Sequence, residues 1–388
     1  MLHNNNYSQD IVCRSYVMAM LVLRAETPKG YEPSPPMLWG DGGCGKTSFN
    51  KAIAEALGVP CYVVKAPDRE PADFAGYPVP NTDTNTVSFM PHDFCMKVLE
   101  AKGDYLIFFD ELADAPRSTQ VAMHAPIIDR EWGPIKLPRH MRGAASNPPE
   151  YSTTGGTISN TVSKRFVHFW YEPEEGEFVK ALMNPGVNGG WPAPAIPNLP
   201  VDWASGIPAA QSLMAQFFMA KPGMVNLSTR EKESQIEWKP TPCKRSWTTA
   251  MLHYAACLAA NEPDLMHCMI AGSVGQGRAN EFLTWVRNLD LPNPEDILFN
   301  CDGFSIPART DQILAMASSV VEATVSNNNA DRWDRCWKVL KRLLDNGRGD
   351  YAALVAPKLA QNMPPKAKLS PAAAAFVPLL QQSGLLKG

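Results

Sequence analysis

The chain has 388 residues, 45% hydrophobic and 19% charged, a composition that can bury a sizeable core and excludes wholesale disorder. Lys+Arg 36 against Asp+Glu 39 leaves a formal charge of −3, which excludes the broad positive field of a DNA-coating protein and leaves open only a local basic patch. Nine cysteines, scattered and without a CxxC pair, are expected as reduced, mostly buried thiols, not as a disulfide framework or a zinc cage.

In chain order, apolar residues recur at helical spacing over residues 10–24, which predicts an amphipathic lead-in helix. The longest apolar stretch there, residues 16–23, is too short to span a bilayer and lacks the flanks of a secretory signal, so a cytoplasmic location is expected. Short apolar runs at 37–39, 61–64 and 105–109 read as strands buried on both faces, with helices at 48–57 and 118–128 and further strands at 142–146 and 166–170. That alternation predicts an α/β fold with a parallel five-stranded sheet. Residues 172–208 hold Pro173, Pro185, Pro192, Pro194, Pro197, Pro200 and Pro208 beside Gly189-Gly190, which excludes long helices except around 174–183 and predicts a long connection. Helices are predicted at 247–260, 264–270, 279–289, 311–323, 331–344 and 351–360, and residues 363–388 as a loosely docked tail.

Gly40-Asp41-Gly42-Gly43-Cys44-Gly45-Lys46-Thr47 fits G-x-x-x-x-G-K-[ST], directly after a predicted strand and before a helix that starts near Ser48. Glycines let backbone N–H groups turn inward around phosphate oxygens, and the helix adds the positive end of its dipole. Lys46 would reach the β- and γ-phosphates, and the Thr47 hydroxyl would bind Mg²⁺. The strand 105–109 runs into Asp110-Glu111, which places two carboxylates at the carboxyl edge of a parallel sheet. Asp110 would hold Mg²⁺ through its water shell, and Glu111 would orient and deprotonate the attacking water. Together the two motifs point to a nucleoside triphosphatase. Asn147 ends another predicted strand, where it reads either as a turn-forming Asn-Pro or as an amide bridging the γ-phosphate and water.

From residue 37 to about residue 300 the chain resembles the AAA+ ATPases of the MoxR type, and more narrowly a MoxR-like group of bacteria and their phages. The resemblance is carried by GDGGCGKT at 40–47, PADFAGYP at 71–78, LIFFDELADAP at 106–116, VAMHAPIIDREWG at 121–133, AASNPPE at 144–150 and SKRFVHFWY at 163–171. It implies that Asn147 is the sensor-1 residue and that Arg165, in the Lys164-Arg165-Phe166 box, points across a subunit boundary at a neighbour's nucleotide. Arg130 is the rival for that role. By the same resemblance Arg245, opening the lid helix, is the sensor-2 arginine that contacts phosphates, and residues 79–90 form an inserted hairpin in which Phe89 is a candidate substrate contact. The glycines Gly272, Gly275 and Gly277 read as close helix packing, since no strand precedes them.

The expected division is therefore an AAA+ nucleotide-binding core over 1–171, a connection over 172–240, a helical lid over 241–300 and a helical extension and tail over 301–388. The expected function is a Mg²⁺-dependent ATPase that acts as a homo-oligomeric, hexameric ring and remodels a protein partner in a chaperone-like way. The resemblance names a von Willebrand factor A domain protein as the usual partner, and places the ring in the cytoplasm of a bacterial or phage-infected cell. A nucleic-acid motor is disfavoured by charge and has only the basic helix around Trp333 and Trp337 in its support. A nucleotide-dependent scaffold with little turnover is the third reading. The seven histidines show no HxxxH or HExxH spacing, so no catalytic metal besides Mg²⁺ is expected.

Overall fold

The computed structural model describes residues 7–101, 103–152, 156–183, 192–233, 236, 238–289, 291–365, 367–368 and 371–378. The Gly189-Gly190 pair and residues 379–388 lie outside the described residues. The strands in chain order are β1 (Pro36–Trp39), β2 (Cys61–Lys65), β3 (Tyr77–Asn81), β4 (Thr86–Met90), β5 (Leu106–Asp110), β6 (Glu131–Trp132), β7 (Ile135–Lys136), β8 (Met141–Ser146) and β9 (Val167–Trp170).

Five of them form a parallel sheet in the order β2-β5-β8-β1-β9. The first strand is thus interior: Met37 aligns with Ala144 on one side and with His168 on the other. β1, β5 and β8 are buried along their whole length, which explains runs such as Leu106-Ile107-Phe108-Phe109 that do not alternate with polar residues. Because the sheet is parallel, the residues that follow β1, β5 and β8 all emerge at its carboxyl edge. The remaining strands make two antiparallel hairpins, β3-β4 and β6-β7.

The lead-in helix Gln9–Arg24 starts where Ser8 Oγ accepts from Ile11 N at 3.4 Å, and it lies against the sheet. Close approach is possible because β8 carries Gly143, where a Cβ would come 2.4 Å from the Tyr16 hydroxyl. Tyr16 donates to Asn50 Oδ1 at 3.0 Å, and so links this helix to Lys46–Ala56.

The chain forms two compact units, 1–204 with 224–280, and 205–223 with 281–388. These cuts differ from the sequence division. Helices Lys244–Ala259 and Pro263–Val274 belong to the sheet's unit, where a Cβ on Gly272 would sit 2.7 Å from the carbonyl of His168 in β9. Residues 281–300 belong with the C-terminal helices. In the second unit Ile207–Ala220, which lies within the expected connection, is a helix that tolerates Pro208 in its first turn, where an N–H has no intrahelical partner. Trp333 and Trp337 are buried together, and Trp333 Nε1 donates to Leu359 O at 2.9 Å. Part of the expected loose tail is packed: Pro371–Ala374 is helical and Phe376 lies 5.4 Å from the Trp337 ring.

The single helix predicted over 118–128 is two pieces, Arg117–Ala122 and a π-helical turn Ala125–Asp129. Pro126 lacks the N–H that regular α-helical pairing needs. The turn's carbonyls are instead satisfied by the buried Arg142 of β8, which donates to Ile127 O and, at 3.1 Å, to Ile128 O. Burial pulls the Arg142 guanidinium down to about 9, with the charges of Arg130 and Arg139 adding to it and those of Glu32 and Asp129 opposing it.

Among the described residues no helix is long and apolar enough to cross a membrane. Three histidines in the sheet's unit are buried as neutral rings, with burial pulling His140 to about 3 and His168 and His253 to about 4. In the unfolded chain they protonate near 6.5, so stability is full above that value and falls as pH drops from it toward the folded values. Each should cost about 2 kcal/mol at pH 5 relative to pH 7. Urea unfolding of wild type and His253→Leu at both pH values should show the variant losing about 2 kcal/mol less on acidification; equal losses would contradict neutral burial.

Candidate functional site

β1 ends at Trp39 and delivers the glycine-rich loop 40–45. Gly43 and Gly45 have φ of 79° and 95°, left-handed values that glycine reaches without cost, and Gly45 caps the helix Lys46–Ala56. Gly40 has a different reason: a Cβ there would come 2.4 Å from Tyr171 O. Asp41, Gly42 and Ser48 are exposed, and Cys44 is half-buried.

Lys46 is buried, 7% exposed, and folds back over the loop. Its ammonium donates to Gly40 O at 2.7 Å, Asp41 O at 2.8 Å and Asn147 Oδ1 at 2.9 Å, with Cys44 Sγ at 3.9 Å. One cation is thus surrounded by polar groups from the ends of β1 and β8. Thr47 Oγ1 donates to Asp110 Oδ2 at 2.5 Å, while Asp110 Oδ1 accepts from Glu111 N at 3.1 Å. The ends of β5 and β8 are tied as well, through Ala113 N to Ser146 Oγ at 3.0 Å. Glu111 adopts a left-handed backbone, φ 56° and ψ 39°, and its side chain is exposed.

Thr47 and Asp110 supply a hydroxyl and a carboxylate of the hard-oxygen kind that Mg²⁺ takes. Among the described residues no three His, Cys, Asp or Glu side chains gather as a metal cage. Beside the loop lies an open cleft of about 410 Å³ walled by Asp41, Gly43, Cys44, Tyr171, Pro173 and Phe178.

The structure brings Lys46, Thr47, Asp110, Glu111 and Asn147 to one edge of the sheet. The charges of Arg165 and Arg245 both act on His124, which opens the turn Ala125–Asp129. Burial lowers the His124 pKa first, and the charges of Arg165 and Arg245 lower it further while Asp129 opposes them. Among the described residues Arg165 Nε and His124 Nε2 are buried without hydrogen-bond partners. His124 belongs to no motif that sequence reasoning could single out, since the two arginines that act on it are distant in the chain. Arg130, the rival to Arg165, is engaged: its guanidinium donates to Leu137 O at 3.3 Å, pairs with Glu32 at 3.6 Å and is 14% exposed.

The basic helix Ala330–Asp345 is charge-compensated. Arg332 pairs with Glu295, Arg335 with Asp331, Lys338 with Asp334 and Lys341 with Asp345. The β3-β4 hairpin, by contrast, projects apolar side chains into solvent, with Val87 58% and Phe89 52% exposed. No protein-family model matches the chain, and no curated protein sequence matches it.

The loop geometry separates the roles of its glycines. Gly40→Ala should destabilise the fold by about 1–3 kcal/mol through the clash with Tyr171 O, whereas Gly42→Ala, which meets nothing within 4 Å, should change stability by less than about 1 kcal/mol. Denaturant midpoints of the two variants check the contrast.

Proposed function

We propose that this chain is a Mg²⁺-dependent ATPase of the MoxR-like AAA+ type, working as a homo-oligomeric, hexameric ring that couples ATP hydrolysis to remodelling of a protein partner. The observation that carries the reading is the meeting of Lys46, Thr47, Asp110 and Asn147 at the carboxyl edge, where the ligands of parallel sheets bind. Lys46 would exchange its three oxygen acceptors for phosphate oxygens, which keeps a buried ammonium paired in both states. Thr47 and Asp110 are the residues that would hold Mg²⁺, which when bound neutralises charge on the phosphate oxygens. Glu111, pointing out past the end of β5, would take the proton of the attacking water. Asn147, already on the Lys46 ammonium, would orient that water against the terminal phosphate. The Pro173 and Phe178 wall of the cleft offers an apolar surface for a base.

Arg165 would be the cation offered to a neighbouring copy's nucleotide, with Arg130 as its rival, and Arg245, at the start of Lys244–Ala259, would be the sensor-2 arginine that contacts phosphates; the charges of both Arg165 and Arg245 act on His124. A guanidinium supplied in trans makes hydrolysis depend on assembly, which turns nucleotide events into movement between subunits. The exposed β3-β4 hairpin, with Phe89, is the proposed contact to the client, either a von Willebrand factor A domain protein or another protein. The paired charges of Ala330–Asp345 weigh against a nucleic-acid motor.

Lys46→Ala should abolish binding of a fluorescent ATP analogue, while Glu111→Gln should bind it and hydrolyse ATP about 100-fold or more slowly. Wild-type turnover in Glu111→Gln would remove the base assignment. Arg165→Ala alone should lose at least about 100-fold in turnover, and mixing it with Glu111→Gln subunits should restore activity at mixed interfaces. No recovery in steady-state assays of the mixture would mean that Arg165 does not act in trans.

A further inference from the structure

We propose that His168 is a positioning residue through which the strand feeding the glycine-rich loop holds the turn that carries Arg165, so that each subunit's nucleotide site and the cation it lends its neighbour are set together. The proposal rests on the trans role assigned to Arg165 above.

Trp39 closes β1, and the next residue opens the loop. Its indole N–H can only donate, and it donates to His168 Nδ1 at 2.9 Å. That bond fixes the tautomer: Nδ1 is the acceptor, so Nε2 carries the proton. Nε2 lies 2.9 Å from Ser163 O, to which it therefore donates. Ser163 is the last residue of the short helix Asn160–Ser163, and Lys164-Arg165 follow directly. The two rings are nearly coplanar, 5° apart with centroids 6.1 Å apart, so the imidazole meets the indole edge to edge as an in-plane N–H···N bond requires.

A second strand of contacts reaches the segment before Arg245. Ser163 Oγ donates to Lys239 O at 3.0 Å, and Trp238 packs 4.9 Å from Trp39 and 5.4 Å from Trp170. Trp39, Ser163 and His168 are all buried. A hydrocarbon ring could fill this volume without the cost of burying two polar nitrogens. The imidazole is suited to the place because both nitrogens are used, each toward a segment that carries a different part of the proposed site. A shift of the β1 end would move the indole and with it the imidazole and the Ser163 carbonyl. The backbone of Arg165 is directly attached to that turn, through its own N–H to Val162 O at 2.9 Å.

The test uses full-length subunits mixed in pairs. Glu111→Gln subunits lend Arg165 to Arg165→Ala subunits, and the recovered ATPase reports the quality of that loan. Adding His168→Phe, which keeps an aromatic ring beside Trp39 and removes both hydrogen bonds, to the Glu111→Gln subunit should cut the recovery at least about tenfold. The same change placed in the Arg165→Ala subunit should cut it less than about threefold. His168→Asn keeps an acceptor toward Trp39 but falls short of Ser163 O, and should give the same asymmetry, so the outcome does not hang on one variant's folding. Equal losses on both sides, or no loss on either, would overturn the proposal and leave the trans role standing. Absence of recovery without any change at His168 would overturn the trans role, and the linkage with it.

Discussion

The end of β1 is pinned from both sides, and the rest of the site depends on that constraint. Tyr171 N donates to Trp39 O at 2.7 Å from the β9 side, and Gly40 N donates to Ser146 O at 3.3 Å from the β8 side. Carbonyl and amide of the strand's last peptide are therefore both committed, and the chain must leave the sheet at Gly40 in one direction. A side chain at residue 40 would strike the Tyr171 carbonyl, so strand pairing alone already demands the glycine. Once the exit is fixed, Gly43 and Gly45 turn the loop and deliver Lys46 over the carbonyls it has just passed. The parallel neighbours then fix Asp110 and Asn147 by register, because β5 and β8 run alongside with Phe109 opposite Ala144.

How much of this was legible in the sequence follows from how local each cause is. The five sheet strands, the loop and most C-terminal helices were readable because a buried strand or a capped helix is determined by a few consecutive residues. Helix Ala330–Asp345, for example, begins where Asn329 Oδ1 accepts from Arg332 N at 3.0 Å and buries Trp333 and Trp337 on one stripe, as the spacing predicted. The unit boundaries were not readable. Helices Lys244–Ala259 and Pro263–Val274 look the same in sequence whether they form a separate body or lie on β9, and only the contact at Gly272 decides. The helix Ile207–Ala220 was hidden by the proline-rich approach to it, since Pro208 reads as a breaker until it is seen to occupy a first turn.

The π-turn at Ala125–Asp129 marks the limit of local reading at the site itself. Apolar periodicity over 118–128 favours one continuous helix, and Pro126 argues only that something must yield. What yields is set by Arg142, distant in sequence, whose buried guanidinium needs carbonyl acceptors as much as the turn needs donors. His124 lies at the start of that turn and Arg130 at its end, so both flank the segment whose carbonyls Arg142 holds.

Glu111 and Arg130 share an unusual backbone conformation for different reasons. Among the described residues the non-glycine positions with positive φ are Asn85, Glu111, Arg130 and Asn261. Asparagine adopts that region readily; glutamate and arginine do so at a cost of about 1–3 kcal/mol. For Arg130 the cause is structural: it opens the β6-β7 hairpin, its carbonyl accepts from Leu137 N at 2.8 Å, and its guanidinium returns to Leu137 O. For Glu111 the bonds to it among the described residues involve its backbone, from Glu111 N to Asp110 Oδ1 and from Asp114 N to Glu111 O at 3.1 Å. The carboxylate itself is left in solvent at the sheet's carboxyl edge. A strand continuing in extended conformation would have carried residue 111 on along the strand axis. The left-handed turn instead lets Asp110 face Thr47 while the Glu111 carboxylate stands exposed beside it, so two adjacent acids are held in different surroundings by one backbone turn.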